Sequence, residues 1–387
     1  MAVPRRILSV PKFVEQLPKL TPVEFFDELA TLGYRGQEHA RRSVALVAYR
    51  HVRRLQRLHL ESLDRTEMPP KPNTLLIGPT GCGKTYLVEL LFRELLRLPT
   101  VIVDVTGFSE TGYIGNDAVT ILTQLLSRAG DNPLMAACGV VCLDEFDKLA
   151  TSSNRARFDG EGSTKDVSGL GVQKELLRMM ESGEIPVPMD QNNSAYSGKV
   201  SVRTDDITFI ACGAFSGLSV LSRMRQRGQH LGFLSEPAAL EHSDIAADLN
   251  QDDLVDTENF QAYGFLPELI GRFTRIVPLQ PLDHNTLHEI LRDNVIRQFT
   301  SEFESEGLKL RVSPRVLDRI VERAIKRQTG ARGLNAILTE LLEKTAFQVF
   351  GQKKGVVTVD EKKGALSVRV RAESRSRRPK RAPKTSK

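Results

Sequence analysis

Gly78-Pro79-Thr80-Gly81-Cys82-Gly83-Lys84-Thr85 meets the pattern G-x-x-x-x-G-K-[ST] at every fixed position. The chemistry such a segment performs is the cradling of phosphate. Glycines let backbone N–H groups turn inward around phosphate oxygens, and a helix opening at the lysine adds the positive end of its dipole. Lys84 is expected to reach the β- and γ-phosphates and Thr85 to hold Mg²⁺, with Tyr86 bordering the same site. Downstream, the apolar run Val140-Val141-Cys142-Leu143 ends in Asp144-Glu145. Asp144 suits the orientation of a Mg²⁺ shell, and Glu145 suits polarisation of an attacking water. An apolar run that stops at an acid is common in strands. Joined to the glycine-rich loop, it points to hydrolysis of a nucleoside triphosphate, and the doubled acid favours hydrolysis over a binding switch.

The elements that must hold these residues alternate. Thr74–Gly78, Val101–Val105, Val140–Asp144 and Ile207–Cys212 read as strands. Leu87, Leu90, Leu91 and Leu95 share one face of a helix starting at Lys84, and Ile121, Leu122, Leu125 and Leu126 share one face of another. Strands alternating with helices predict an α/β domain with a parallel sheet between helices. Residues 151–171 and 228–260 read as loops. Beyond Pro278 and Pro281 the strand signals fade, and Leu287–Phe299, Pro314–Gln328 and Ala331–Phe350 read as helices, closed by a short hairpin of Val356–Val359 and Ala365–Val370. The expected division is an N-terminal extension (1–21), a large domain (22–280), a small, mostly helical domain (281–370) and a disordered basic tail (371–387).

Composition bounds the reading. A chain of 387 residues with 40% hydrophobic and 26% charged residues is globular and long enough for two or three domains. No apolar run reaches the ~18 residues of a membrane span, and residues 1–14 are too short and Pro-broken for an export signal. Residues 371–387 hold eight Lys or Arg against Glu373 alone, more than the whole net charge of +6. The basic balance therefore belongs to a tail and does not imply a nucleic-acid-binding fold. Cys82, Cys138, Cys142 and Cys212 form no Cys-x-x-Cys pair, so reduced thiols, no zinc and a cytoplasmic location are expected.

Six segments occur in series: Gly78–Thr85, Leu143–Lys148, Lys165–Gln173, Cys212–Phe215, Pro267–Arg272 and Thr329–Leu334. In this order they resemble ClpX, the AAA+ unfoldase family of the Clp protease, over residues 22–350. HslU unfoldases are similar in several of them, but Gly169-Leu170-Gly171 and Cys212-Gly213-Ala214-Phe215 sit nearer ClpX. The resemblance implies a P-loop AAA+ large domain followed by a helical lid, binding ATP and Mg²⁺ in a homo-oligomeric, hexameric ring. It implies that Arg272 is an arginine finger for the neighbouring subunit; from the residues alone it could cap a helix or pair with Glu268. Arg332 matches sensor 2, against a plain surface Arg at a helix start. Tyr113 and Ile114, between Gly112 and Gly115, match the first pore loop, against an ordinary turn that buries Tyr113. Lys165 and Val167 belong to the second pore loop. Leu231-Gly232-Phe233 resembles the tripeptide that docks on a Clp-type peptidase, against packing on the large domain. Tyr34 and Arg35, before Gly36-Gln37, stand where the family flanks adenine.

The chain departs from the pattern in four places, the first being Tyr34-Arg35 where the family has Val-Ile, which makes adenine preference less secure. No Cys precedes the match, so the family's zinc module is not expected and adaptor-mediated delivery is in doubt. Asn192–Lys199 replaces the Arg-Lys-His pore-entrance loop, and the basic tail is an addition. The resulting expectation is an ATP-dependent protein unfoldase and translocase acting on unfolded or tagged proteins, the ATPase subunit of a Clp-type protease. It has no Ser/His/Asp set or metal motif with which to cut peptide bonds itself. The alternatives are a remodelling chaperone without a peptidase, and a nucleic-acid-associated motor, which the apolar Tyr113-Ile114 disfavours.

Overall fold

The four residues Thr74–Ile77 are all buried, and they form β1, the strand around which the large unit is built. The computed structural model describes residues 9–108, 118–151, 168–181, 183–189, 198–226, 256–351, 354–362 and 365–372. The chain divides into two compact units, Met1–Pro281 and Leu282–Lys387. In the first unit a five-stranded sheet has the order β2-β3-β6-β1-β7, with β2 Thr100–Asp104, β3 Val140–Asp144, β6 Thr208–Gly213 and β7 Arg275–Pro278. All four pairings are parallel.

Both faces of this sheet are covered, which is why its strands read as unbroken apolar runs. Side chains alternate along a strand. Leu75, Ile77, Val141, Leu143, Phe209 and Ala211 face a core shared with α5 (Val119–Arg128) and the helix Ser168–Met180. Leu76, Val140, Cys142, Ile210, Cys212 and Val277 face a second core. That core is shared with α1 (Val10–Glu15), α2 (Pro22–Thr31), α3 (Glu38–His59) and α4 (Lys84–Val88).

Several features depart from the sequence reading. Val10, Val14 and Leu17 of the expected extension lie in the second core. Helix α4 does not continue as a plain α-helix, because Glu89–Leu95 is π-helical. Its wider turn, closed by Leu96 N–H donating to Leu91 O at 3.0 Å, brings Leu87, Leu91 and Leu96 onto the core and leaves Leu95 half-buried. Strand β7 is an addition to the four expected strands. It is four residues long and ends at Pro278, which an edge strand tolerates. A hairpin of β4 (Glu184–Pro188) and β5 (Lys199–Arg203) is a further addition.

The second unit packs the helices His284–Ile290, Ile296–Ser305, Pro314–Lys326 and Gly330–Val349 around one core. It also holds a three-stranded sheet, with β8 (Leu308–Val312) parallel and β10 (Ala365–Ala372) antiparallel to the central β9 (Gly355–Lys362). Of these strands the sequence predicts only the β9–β10 hairpin. Arg371 and Ala372, expected in a disordered tail, are the end of β10, where they pair with Val356 and Gly355. Residues 373–387 lie outside the described residues. Among the described residues, no helix is long and apolar enough to cross a membrane.

Candidate nucleotide site

Open parallel sheets place ligands beyond the carboxyl ends of their strands, and the phosphate-loop residues lie there, after β1. Gly78 is held so close to Leu279 that a Cβ on it would sit 2.6 Å from the Leu279 carbonyl oxygen. Gly83, with φ +96°, turns the chain into α4. Behind it stands Tyr34, whose hydroxyl donates to Gly83 O at 3.2 Å. Burial pushes the Tyr34 phenol up, so it stays a donor at neutral pH. The Lys84 ammonium is turned onto its own loop, donating to Gly78 O at 2.6 Å and Pro79 O at 3.0 Å.

The order β3-β6-β1 sets one strand between the phosphate loop and the acidic end of β3. Side chains close that gap. Thr85 Oγ1 donates to Asp144 Oδ2 at 2.8 Å, and Glu145 N–H donates to Asp144 Oδ1 at 3.0 Å. A hydroxyl and a carboxylate converging in this way are the hard oxygen donors that Mg²⁺ takes. Glu145 itself has φ 54°, in the left-handed region that non-glycine residues seldom occupy outside functional turns.

Three residues with no role assigned from sequence brace this turn. Asp147 is buried beside the Lys148 ammonium (3.4 Å) and accepts Ala214 N–H at 3.0 Å, tying the end of β3 to the end of β6. Gln173, fully buried, donates to Leu149 O (2.7 Å) and Gly264 O (3.1 Å) and accepts Leu266 N–H (2.8 Å). Phe146 stacks on Phe265 and meets the edge of Phe273, with ring centroids 5.1 and 5.5 Å apart. An acid or amide inside an otherwise apolar segment was the available signal. Their partners are too distant in sequence to be read from it.

Arg272 stands elsewhere, just before β7. Its guanidinium pairs with Glu181 at 2.7 Å, not with Glu268, and both side chains are close to half exposed (42% and 47%). Arg35 donates to Ala30 O at 2.6 Å, so its head is engaged on the chain's own backbone. The Tyr86 ring stacks on Tyr34 with centroids 6.1 Å apart.

Residues 69–276 match the family model described as "AAA domain (Cdc48 subfamily)", and residues 282–356 match "C-terminal, D2-small domain, of ClpB protein". The chain is 37% identical over 343 residues to "ATP-dependent Clp protease ATP-binding subunit ClpX" of Azotobacter vinelandii, spanning 86% of this chain and 75% of the relative. It is 35% identical over 364 residues to the protein of that name from Bacteroides fragilis (91% and 83%). It is 36% identical over 358 residues to "ATP-dependent Clp protease ATP-binding subunit ClpX 3" of Methylococcus capsulatus (87% and 80%). The chain is an AAA ATPase of the ClpX family.

As a ClpX-family ATPase it binds nucleotide and hydrolyses ATP. The phosphate loop, Thr85, Asp144 and Glu145 are brought together; Arg272 lies on a separate edge of the same unit. Arg332 is exposed on the helix Gly330–Val349 of the second unit. Tyr113, Ile114, Lys165, Val167, Leu231, Gly232 and Phe233 lie outside the described residues.

Proposed function

We propose that this ClpX-family ATPase is a ring-forming protein unfoldase that feeds unfolded chains to a Clp-type peptidase, with ATP and Mg²⁺ bound at the site after β1. The observation that carries the ATP site is the contact between Thr85 and Asp144 beneath the phosphate loop. Lys84 exchanges its bonds to Gly78 O and Pro79 O for phosphate oxygens, so the loop needs no new cation when nucleotide arrives. Bound Mg²⁺ supplies neutralisation of charge on the transferred phosphoryl group. Thr85 and Asp144 would hold it. Glu145 orients and polarises the attacking water from the turn that Asp147 and Gln173 brace. Arg272 is lent to the nucleotide of the next subunit, and Arg332 contacts nucleotide from the small unit.

A second copy of the chain is the partner that Arg272 requires, since its edge is remote from its own phosphate loop. Phe347, 88% exposed on the helix Gly330–Val349, adds an apolar surface that suits assembly. Tyr113 and Ile114 would grip substrate by shape and apolar contact, and Lys165 and Val167 would line the second pore loop. Leu231-Gly232-Phe233 would dock the peptidase.

The test uses Glu145→Gln rings held in ATP and recovered from source-cell lysate, beside the same rings carrying Gly232→Ala and Phe233→Ala. Recovery of a Clp-type peptidase with the first and not the second is expected. Recovery with neither would make the chain a stand-alone remodeller and return Leu231–Phe233 to packing.

A further inference from the structure

Asn73 precedes β1 at the end of the sheet away from the phosphate loop, where nucleotide chemistry gives a buried amide nothing to do. It is 3% exposed, and both ends of its side-chain amide and its own carbonyl are engaged. Its Oδ1 accepts Phe209 N–H of β6 at 3.0 Å. Its Nδ2 donates to the carbonyl of Arg272 at 3.2 Å. Its own carbonyl accepts Thr274 N–H at 3.0 Å and the Thr274 hydroxyl at 3.1 Å. The amide orientation is fixed by these partners, because only the nitrogen can serve a carbonyl and only the oxygen can serve an N–H.

The bracket runs from a central strand to the backbone of one particular residue. Arg272 follows the four-residue helix Pro267–Ile270, too short to hold its own exit. On the other side, half-buried Lys71 donates to Thr204 O at 2.9 Å and Met180 O at 3.3 Å, pinning the chain next to Glu181. Glu181 is the residue on which the Arg272 guanidinium rests. That guanidinium borders an open cavity of about 390 Å³ with Lys71, Arg65 and Asp205, so the side chain has room to leave Glu181 while its backbone stays held. A leucine could fill the Asn73 position, but it would take the side-chain partners from Phe209 N–H and Arg272 O. What an amide adds there is a defined point of departure for Arg272.

We propose that Asn73 is the positioning residue for Arg272: its side chain, locked to β6, sets the backbone from which the guanidinium reaches the neighbouring subunit's nucleotide. The inference rests on the proposed role of Arg272 as a group lent in trans. Displacement of a charge-stabilising group by about 1 Å costs on the order of 100-fold in rate, so a shifted root shows in turnover before it shows in binding.

The test is a cycle of ATPase measurements on the full chain with Asn73→Asp, Arg272→Ala and both together. Aspartate keeps the acceptor for Phe209 N–H and removes the donor to Arg272 O. Expected are a fall in kcat of roughly 10- to 100-fold with ATP affinity within about twofold of wild type, and no further fall when Asn73→Asp is added to Arg272→Ala. Subunits carrying Asn73→Asp with Glu145→Gln should also silence wild-type neighbours in mixed rings, to the extent expected of Arg272→Ala with Glu145→Gln. Unchanged kcat in Asn73→Asp beside a failed Arg272→Ala overturns the positioning role alone. An equal added fall in the double variant does the same, since it marks a general structural effect. Normal turnover in Arg272→Ala removes the role of Arg272 and the inference with it. If Asn73→Asp does not fold, Asn73→Val, neutral and without a donor for Arg272 O, takes its place.

Discussion

The turn that holds Thr85, Asp144 and Glu145 and the edge that carries Arg272 are built on opposite principles. At the first, side chains and loop lie on one another: Lys84 on the loop carbonyls, Thr85 on Asp144, and Gly78 against Leu279 with no room for a methyl group. At the second, the guanidinium rests in a half-exposed ion pair with Glu181, of a kind worth about 0–1 kcal/mol. Only its backbone is fixed, by the buried Asn73. On the proposed roles, Lys84 and Thr85, which serve their own subunit, are held at the tip, and Arg272, which reaches another, is held at the root and looser at the tip.

The sharpest way to break this contrast is Glu145→Gln. It should lower ATP turnover by about 10²- to 10⁴-fold while leaving nucleotide binding and Thr85–Asp144 intact; normal turnover in that variant would remove Glu145 from the mechanism. Next in size is a pH effect at the foot of the interior strands. There His51 is fully buried between Cys138 O (Nε2, 3.0 Å) and the Thr208 hydroxyl (Nδ1, 2.8 Å), and burial lowers its pKa to about 4. The unfolded chain takes up this proton near pH 6.5 and the folded chain only near 4. The stabilisation is therefore complete above pH 6.5 and lost as pH falls toward 4, by about 3 kcal/mol. Denaturant titrations of His51→Gln across that window should show a correspondingly shallower pH dependence; an unchanged slope would mean that His51 is not the group responsible.

Gly78→Ala should destabilise by roughly 1–3 kcal/mol, because its Cβ meets backbone rather than a flexible side chain. A midpoint of thermal unfolding equal to wild type would show that the loop yields. The smallest effect belongs to Glu181→Ala, expected to change stability by less than about 1 kcal/mol in urea unfolding. A larger loss would place the Arg272 edge among the rigid parts of the molecule and erase the distinction.

What the sequence made legible follows the same division. The phosphate loop and the Asp144-Glu145 pair are local signals, and β1, β3 and β6 are apolar on both faces, so the central sheet and its catalytic end could be read directly. Strands β7 and β8 escaped because neither is an unbroken apolar run, β7 ending in proline and β8 alternating Leu308, Lys309, Leu310, Arg311 on a half-solvated face. Asn73 escaped for a different reason. An amide before a strand looks like a turn residue, and its meaning lies in Phe209 and Arg272, far along the chain. The sequence offers Glu268 as the nearby acid for Arg272, and the ion pair lies at Glu181 instead. The cysteines lie in apolar stretches or, for Cys82, in the phosphate loop, and all four are buried. The hydrogen bond between Cys142 and Cys212, together with burial, holds the Cys142 thiol well above its ordinary pKa.

Phe146 and Phe273 give this molecule a grammar of succession. Each ring is one peptide bond from a residue with a proposed role at ATP: Phe146 follows Glu145, proposed to act at home, and Phe273 follows Arg272, proposed to act next door. Their edge contact at 5.5 Å means that receiving and lending are adjacent words in one sentence. In a circle of such subunits, with Arg272 lent as proposed, a displacement at one turn is spoken again at the next.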